Sequence, residues 1–389
     1  MTRLADWQRI GIGCGAAMFL CMALGRFSYS TMIPSLVEQG LMSTVVAGYV
    51  GGANLVGHLV GALLSVGVAQ RGELRRLMAI AVWVAAAALI GSAINLGPIW
   101  LGFWRLVIGV MTGFVMVQSL ALMTLHAPED RRPQAASYVF VGVGCGILFS
   151  GTAVPMLLRL GLAEAWWGVA LAGVAAASLS HWALGILPRD KPQKVSKEDS
   201  KPPNTLAWRG LVAASFLFSI GLVPHTIYWF DYIARWLGQG IDVAGAHWVA
   251  IGVFGILGPI LIAALARGVG TAIATTVIYF VLAFGIAAPA FATDYALIIA
   301  STVIFGIQPG VSTMIAARAR DLGSAAQTPA MMRTTIVANG IGAAIGGVLI
   351  PGMLDATGSY ALLFLSAGGA FFVGGLLCLL FLRAKTIDD

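Results

Sequence analysis

Charge is what this chain has least of: 10% of its 389 residues are Asp, Glu, Lys or Arg, where a soluble domain carries roughly 25%. So little charge cannot clothe a water-facing surface, which excludes a soluble globular protein. Acidic residues are the scarcer sign, 16 against 23 basic ones, and Asp231 is the only acid inside a long apolar run. Cysteine is rare as well. Cys14, Cys21, Cys145 and Cys378 stand apart in apolar stretches without a CxxC pair or a His cluster, so they read as small hydrophobes, and no metal or cofactor is expected. A P-loop is missing: Gly11-Ile-Gly13-Cys14-Gly15 is glycine-rich but lies inside an apolar run with no strand before it. This argues against ATP hydrolysis and leaves no sign of an enzyme. The apolar segments do not alternate with period two, so a membrane barrel is excluded.

Apolar residues make up 59% of the chain, enough for eleven or twelve spans at about 20 residues each. The fold class is therefore an all-α integral membrane protein with the lipid bilayer as its surroundings. Twelve apolar segments can be cut. In the first half they run from Ile10 to Val37, Thr44 to Ala69, Leu77 to Leu96, Ile99 to Leu125, Gln134 to Leu158 and Ala165 to Leu187. In the second they run from Leu211 to Leu237, Val243 to Ala266, Thr271 to Phe291, Tyr295 to Ala317, Ala330 to Met353 and Tyr360 to Leu382. The first is too long for a signal-peptide core and lacks a cleavage site, so it is expected to stay attached. Gly, at 49 residues, suits helices whose backbones approach through small side chains.

The net charge of +7 does not imply a nucleic-acid partner, because the basic residues sit in short loops. With the N-terminus in the cytoplasm, nineteen of the 23 Lys and Arg fall inside and two, Arg159 and Arg235, outside. That bias places both termini in the cytoplasm and the chain in the cytoplasmic (inner) membrane. Residues 188–206 hold a charged, Pro-rich linker and divide an N-terminal six-helix bundle, 1–187, from a C-terminal one, 207–389. The halves repeat in parallel. Gly144, Gly146, Gly151 and Pro155 of span 5 recur 196 residues on as Gly340, Gly342, Gly347 and Pro351 of span 11, and Gly109 and Gly113 recur as Gly306 and Gly310.

These features resemble the major facilitator superfamily over the whole chain. The loop QRGELRRL, with Gly61 upstream and Arg75 and Arg76 as its basic pair, resembles the signature between helices 2 and 3, although Ala69 and Gln70 stand where an Asp is usual. Arg105 and Gly109 match an Arg-x-x-x-Gly motif of helix 4, and Gly142, Gly151 and Pro155 partly match the antiport pattern of helix 5. The runs Gly25 to Pro34 and Ala47 to Asn54 are similar to the YbfB/YjiJ branch. The resemblance implies two six-helix halves, alternating access and no particular substrate.

Ionisable residues inside a bilayer cost about 2.5–3.5 kcal/mol each on insertion scales. Arg26 lies about 24 Å along span 1, past the midplane. It is either a cation that grips an anionic substrate or one paired structurally. Arg105, six residues into span 4, has a structural, proton-relay or substrate role open to it. Asp231, with Arg235 one turn away, reads as an ion pair or as a proton-coupling gate. His225 lies two turns deeper, where Pro224 should interrupt regular bonding; it suits a proton carrier or a plain hydrogen-bonding residue. Aligning Gly25 with Gly221 pairs Tyr29 with His225 and Arg26 with Leu222. The expected substrate contacts are thus Arg26, Tyr29, Arg105, His225, Tyr228 and Gln308; the proton or gate residues are His225, Asp231 and Arg235. Tyr49, Asn54, His58, Gln118, Tyr138 and Asn339 read as helix-packing polar residues, and Trp100, Trp166, Trp167 and Trp248 as interfacial anchors. Together these point to a monomeric secondary transporter for a small organic anion, a carboxylate, coupled to protons. Proton-driven efflux of drugs or metabolites is the nearest alternative, and a transporter-like sensor or scaffold a further one.

Overall fold

The computed structural model describes residues 5–65, 73–94, 96–128, 131–187, 201–291, 294–324 and 326–384. Residues 188–200 of the linker, 66–72 with the start of the basic loop, Arg3, Lys385 and the side chain of Arg132 lie outside the described residues.

Among the described residues all regular structure is helical. The helices are α1 (Asp6–Glu38), α2 (Thr44–Leu64), α3 (Leu74–Ala93), α4 (Pro98–His126), α5 (Arg132–Leu158), α6 (Leu162–Leu184), α7 (Leu206–Trp236), α8 (Gly240–Val269), α9 (Thr271–Ala290), α10, α11 (Thr328–Thr357) and α12 (Tyr360–Leu380). α10 is a bent pair, Tyr295–Gly306 and Pro309–Leu322, at 43°. Among the described residues eleven helices are long and apolar enough to cross a membrane alone, and the bent pair, taken as one span, gives twelve. Short polar side chains start several of them: Ser43 accepts from the Val46 amide, Thr205 from Trp208 and Ser359 from Leu362, each satisfying an amide that the helix leaves without a partner.

Three departures from the sequence reading have local causes. α10 breaks because Pro309 carries no amide and crowds the turn before it; its second half then extends past Ala317, so Arg318 and Arg320 lie on helix instead of loop. α7 runs unbroken through Pro224 to Asp231 and changes only afterwards, in a π turn over Tyr232–Trp236. α1 widens to π geometry over Phe19–Phe27, where the Ser28 amide reaches back five residues to the Ala23 carbonyl.

Contacts gather the chain into two compact units, Met1–Val195 with Ile233–Val249, and Ser196–Tyr232 with Ala250–Asp389. The end of α7 and the start of α8 therefore belong to the first unit. There α2 lies directly on α4: a Cβ at Gly57 or Gly61 would overlap the carbonyls of Leu106 or Val110, and one at Gly109 or Gly113 those of Asn54 or His58. In lipid, where burial of apolar surface does not drive helices together, this backbone approach does. The second unit is filled differently, with α7, α9 and α12 meeting through rings such as Phe218, Tyr279 and Phe371.

Candidate functional site

Two arginines of the first unit lie at membrane depth, Arg105 fully buried and Arg26 partly buried, and the unit treats them differently. Arg105, fully buried on α4, donates from Nη1 to the Gly25 carbonyl at 2.6 Å and from Nη2 to Ser92 Oγ at 3.2 Å. Its guanidinium also lies over the rings of Tyr29 and Trp166, at 5.5 and 5.7 Å. The Gly25 carbonyl belongs to the π segment of α1, and a second α4 side chain, Thr112, donates to the Cys21 carbonyl of the same segment at 2.8 Å. α4 therefore holds the widened part of α1 through side-chain donors, while Arg105 Nε is itself buried with no acceptor. Stretches of π geometry recur at functional sites, and this one presents Arg26.

Arg26 has a tether and a surplus donor. Its Nε donates to Asn54 Oδ1 at 3.0 Å, while Nη2 is buried with no acceptor. Asn54 in turn donates to the Arg105 backbone carbonyl at 3.2 Å, so one amide links the two arginine positions and is itself fixed by the α2–α4 glycine contact. One turn further along α2, His58 Nδ1 is also buried without a partner, within electrostatic reach of Arg26. Among the described residues no carboxylate pairs with either arginine. Asn54 and His58 had read as packing residues; their i, i+4 spacing on a glycine-rich face was the available signal. Tyr29 is placed beneath Arg105 with its hydroxyl donated to the Ala47 carbonyl at 2.8 Å.

In the second unit His225 is fully buried, bonded through Nε2 to Ser301 Oγ at 2.9 Å and stacked on Trp229 with centroids 4.3 Å apart. Phe305 and Phe364 complete its surroundings. Asp231, also fully buried, accepts from the Tyr360 hydroxyl at 2.6 Å. Tyr228 packs edge-on to Tyr360. Gln308 lies at the break in α10, where it precedes Pro309. Arg235, in the first unit, donates to Thr44 Oγ1 at the start of α2, at 2.7 Å, and Arg159 pairs with Asp242 at 2.7 Å. Two of the tryptophans read as interfacial anchors are interior: Trp166 beside Arg105, and Trp248, 1% exposed, against Phe27. Trp167 is exposed.

A twelve-span helical chain with buried cations and no catalytic cluster among its described residues has the build of a solute carrier, and the comparisons with known proteins name its kind. Residues 18–379 match the family described as uncharacterised MFS-type transporter YbfB. The chain belongs to the major facilitator superfamily. It is accordingly a multi-pass membrane protein and a secondary transporter, not an enzyme. No curated protein sequence matches it. The fold is similar to that of the xylose transporter XylE from E. coli in a partially occluded inward-open conformation, at 14% identity and a TM-score of 0.76 over 97% of this chain and 99% of that one. It is similar also to a mutant form of the nucleoside transporter NupG, at 12% identity and a TM-score of 0.75 over 97% and 99%. A POT family transporter in complex with 5-aminolevulinic acid aligns at 14% identity, with a TM-score of 0.74 over 95% and 96%.

Proposed function

We propose that this transporter moves a small organic anion, a carboxylate, across the cytoplasmic membrane by alternating access, as a monomer coupled to protons and with both termini in the cytoplasm. The observation that carries the reading is Arg26 Nη2, a buried donor without an acceptor on a cation that no carboxylate neutralises among the described residues. A guanidinium matches a carboxylate with parallel N–H groups, and a cation held in a low-dielectric setting favours an anion over any cation. Arg105 serves this site indirectly, by holding the π segment that aims Arg26.

In proteoliposomes supplied with small carboxylates, Arg26→Gln is expected to lose transport while the folded protein is retained, and Arg26→Lys to recover only part, since a point charge cannot reproduce a planar fork. Normal transport by Arg26→Gln, or stabilisation of the purified protein by cationic ligands alone, overturns the anion reading. For orientation, a cysteine at Gln239 is expected to be labelled from outside and one within 193–200 from the cytoplasm; the reverse overturns the topology. Export by proton antiport is the second reading. It is favoured by the helix 5 pattern, whose Gly151 and Pro155 meet Gly245 of α8 in the first unit.

A further inference from the structure

Arg26 Nη2 and His58 Nδ1 are two buried polar atoms of the first unit that lack partners and come from adjoining helices, α1 and α2. We propose that His58 is the second contact of the anion site and that it takes up a proton together with the anion, an inference that rests on the anion reading above. Asn54, which holds Arg26 Nε at 3.0 Å, lies one turn from His58 on the same helix, and side chains so spaced have Cβ atoms about 5–6 Å apart. The proposed anion lies between the two orphaned nitrogens, which are within electrostatic reach of each other. The backbone of His58 is fixed, because its carbonyl is pressed against Gly113 of α4, and its Nδ1 is left without a partner.

The charges around it decide what protonation requires. Arg26 of α1 is the charged group within electrostatic reach of His58; the helices packed on α2 also carry Tyr29 on α1, Arg105 and His126 on α4, and Arg235 at the end of α7, bonded to Thr44. The Tyr29 hydroxyl is committed to Ala47, and Arg105 to Gly25 and Ser92. α2 and α4 carry no acid, and those of α1, Asp6 and Glu38, stand at its two ends. A protonated His58 would therefore be a second buried cation beside Arg26 with nothing to neutralise either. A carboxylate bound between them supplies the missing negative charge, so proton and anion each favour the other by the same factor, as linkage demands. The loaded site holds one anion between two cations; the empty site holds Arg26 and a neutral ring. Anion and proton then cross together.

Formate tests this, because it carries the recognised group and nothing further that could clash. Its apparent affinity for the purified full chain would be read from thermal shifts at pH 6, 7 and 8, against chloride at equal ionic strength. The wild type is expected to bind formate about tenfold more weakly per pH unit as pH rises, and to take up protons from a weakly buffered solution as formate is added. His58→Gln is expected to bind formate with an affinity that no longer varies with pH and without proton uptake. Persistence of the pH dependence in His58→Gln, or its loss in His225→Gln alone, overturns the role of His58 while leaving the anion reading intact. No formate-specific shift at any pH overturns the anion reading and this inference with it. Should His58→Gln fail to fold, the wild type still decides: carbethoxylation of His58, which needs the neutral ring, should be slowed several-fold by formate, and the slowing should vanish in Arg26→Gln. Labelling of wild-type His58 that ignores formate overturns the proposal.

Discussion

The two units surround their deepest polar side chains with different materials. The first brings backbones together through glycine and uses the closeness to bury two guanidiniums among carbonyls, an amide and hydroxyls. The second has glycine contacts of its own, such as Gly342 on the Phe216 carbonyl, but surrounds its buried histidine with rings. The contrast separates two ways of meeting the bilayer's demand that polar groups be satisfied internally. A tight backbone contact supplies carbonyls and leaves guanidinium donors to spare, whereas aromatic filling reduces polar demand and meets part of it through side chains, as in His225 Nε2 with Ser301 and Tyr360 with Asp231.

The sharpest way to break this contrast is to exchange the tolerances. Gly61→Val adds atoms where the Val110 carbonyl stands, so it is expected to cost more than the usual ~1–3 kcal/mol of overpacking and to reduce monodisperse protein at least several-fold. Phe364→Ala, which removes a ring beside His225, is expected to cost about 3–5 kcal/mol. Size-exclusion recovery and thermal unfolding in detergent read both. A Gly61→Val protein as stable as wild type would show that α2 and α4 do not depend on that approach.

Next in size is the difference between the two arginines. Arg105→Leu strands the Gly25 carbonyl and one Ser92 contact, at about 1–3 kcal/mol for each buried group left unmet. Arg26→Leu removes one bond to Asn54 and a donor that had no partner, so its expected stability loss is under about 1 kcal/mol, although transport is lost. Equal unfolding midpoints for the two variants would contradict the division of labour between them. The smallest effects belong to the hydroxyls. Tyr360→Phe and Ser92→Ala each remove one hydroxyl contact at about 0.5–1.5 kcal/mol, with Tyr360→Phe the larger because its contact to Asp231 is 2.6 Å against 3.2 Å from Arg105 to Ser92. Thermal unfolding of the pair sharpens the comparison, and a larger loss from Ser92→Ala would reverse the ranking.

The span pattern was legible because hydropathy alone specifies a membrane helix; no tertiary contact is needed to recognise Gly240–Val269 as one. Arg26 was conspicuous as a candidate because its cost in lipid is so high that its presence demands a purpose. His58 and Asn54 were not, since a neutral polar residue in a membrane helix is ordinarily a helix-to-helix contact, and only the geometry shows one of them tied to Arg26 and the other unpartnered. Trp166 and Trp248 misled for a related reason. An aromatic near the end of a predicted span fits an interfacial belt, and their burial follows from Arg105 and Phe27, which are distant in sequence. The bend in α10 was signalled by Pro309, but proline in a membrane helix is often accommodated without a break, as Pro224 shows.

The π segment of α1 has a consequence for how a duplicated protein diverges. A π turn closes over one residue more than an α turn, and each residue advances the direction of its side chain by about 100°. In α1 the widening occupies mid-helix, Phe19–Phe27, whereas in α7 it waits until Tyr232–Trp236. Between those depths, residues that correspond along the chain no longer share a bearing around their own helix axes. Arg26 and Leu222 occupy matching ranks of the repeat, so a single widened turn in one copy is enough to swing a charge toward a face that its twin does not present.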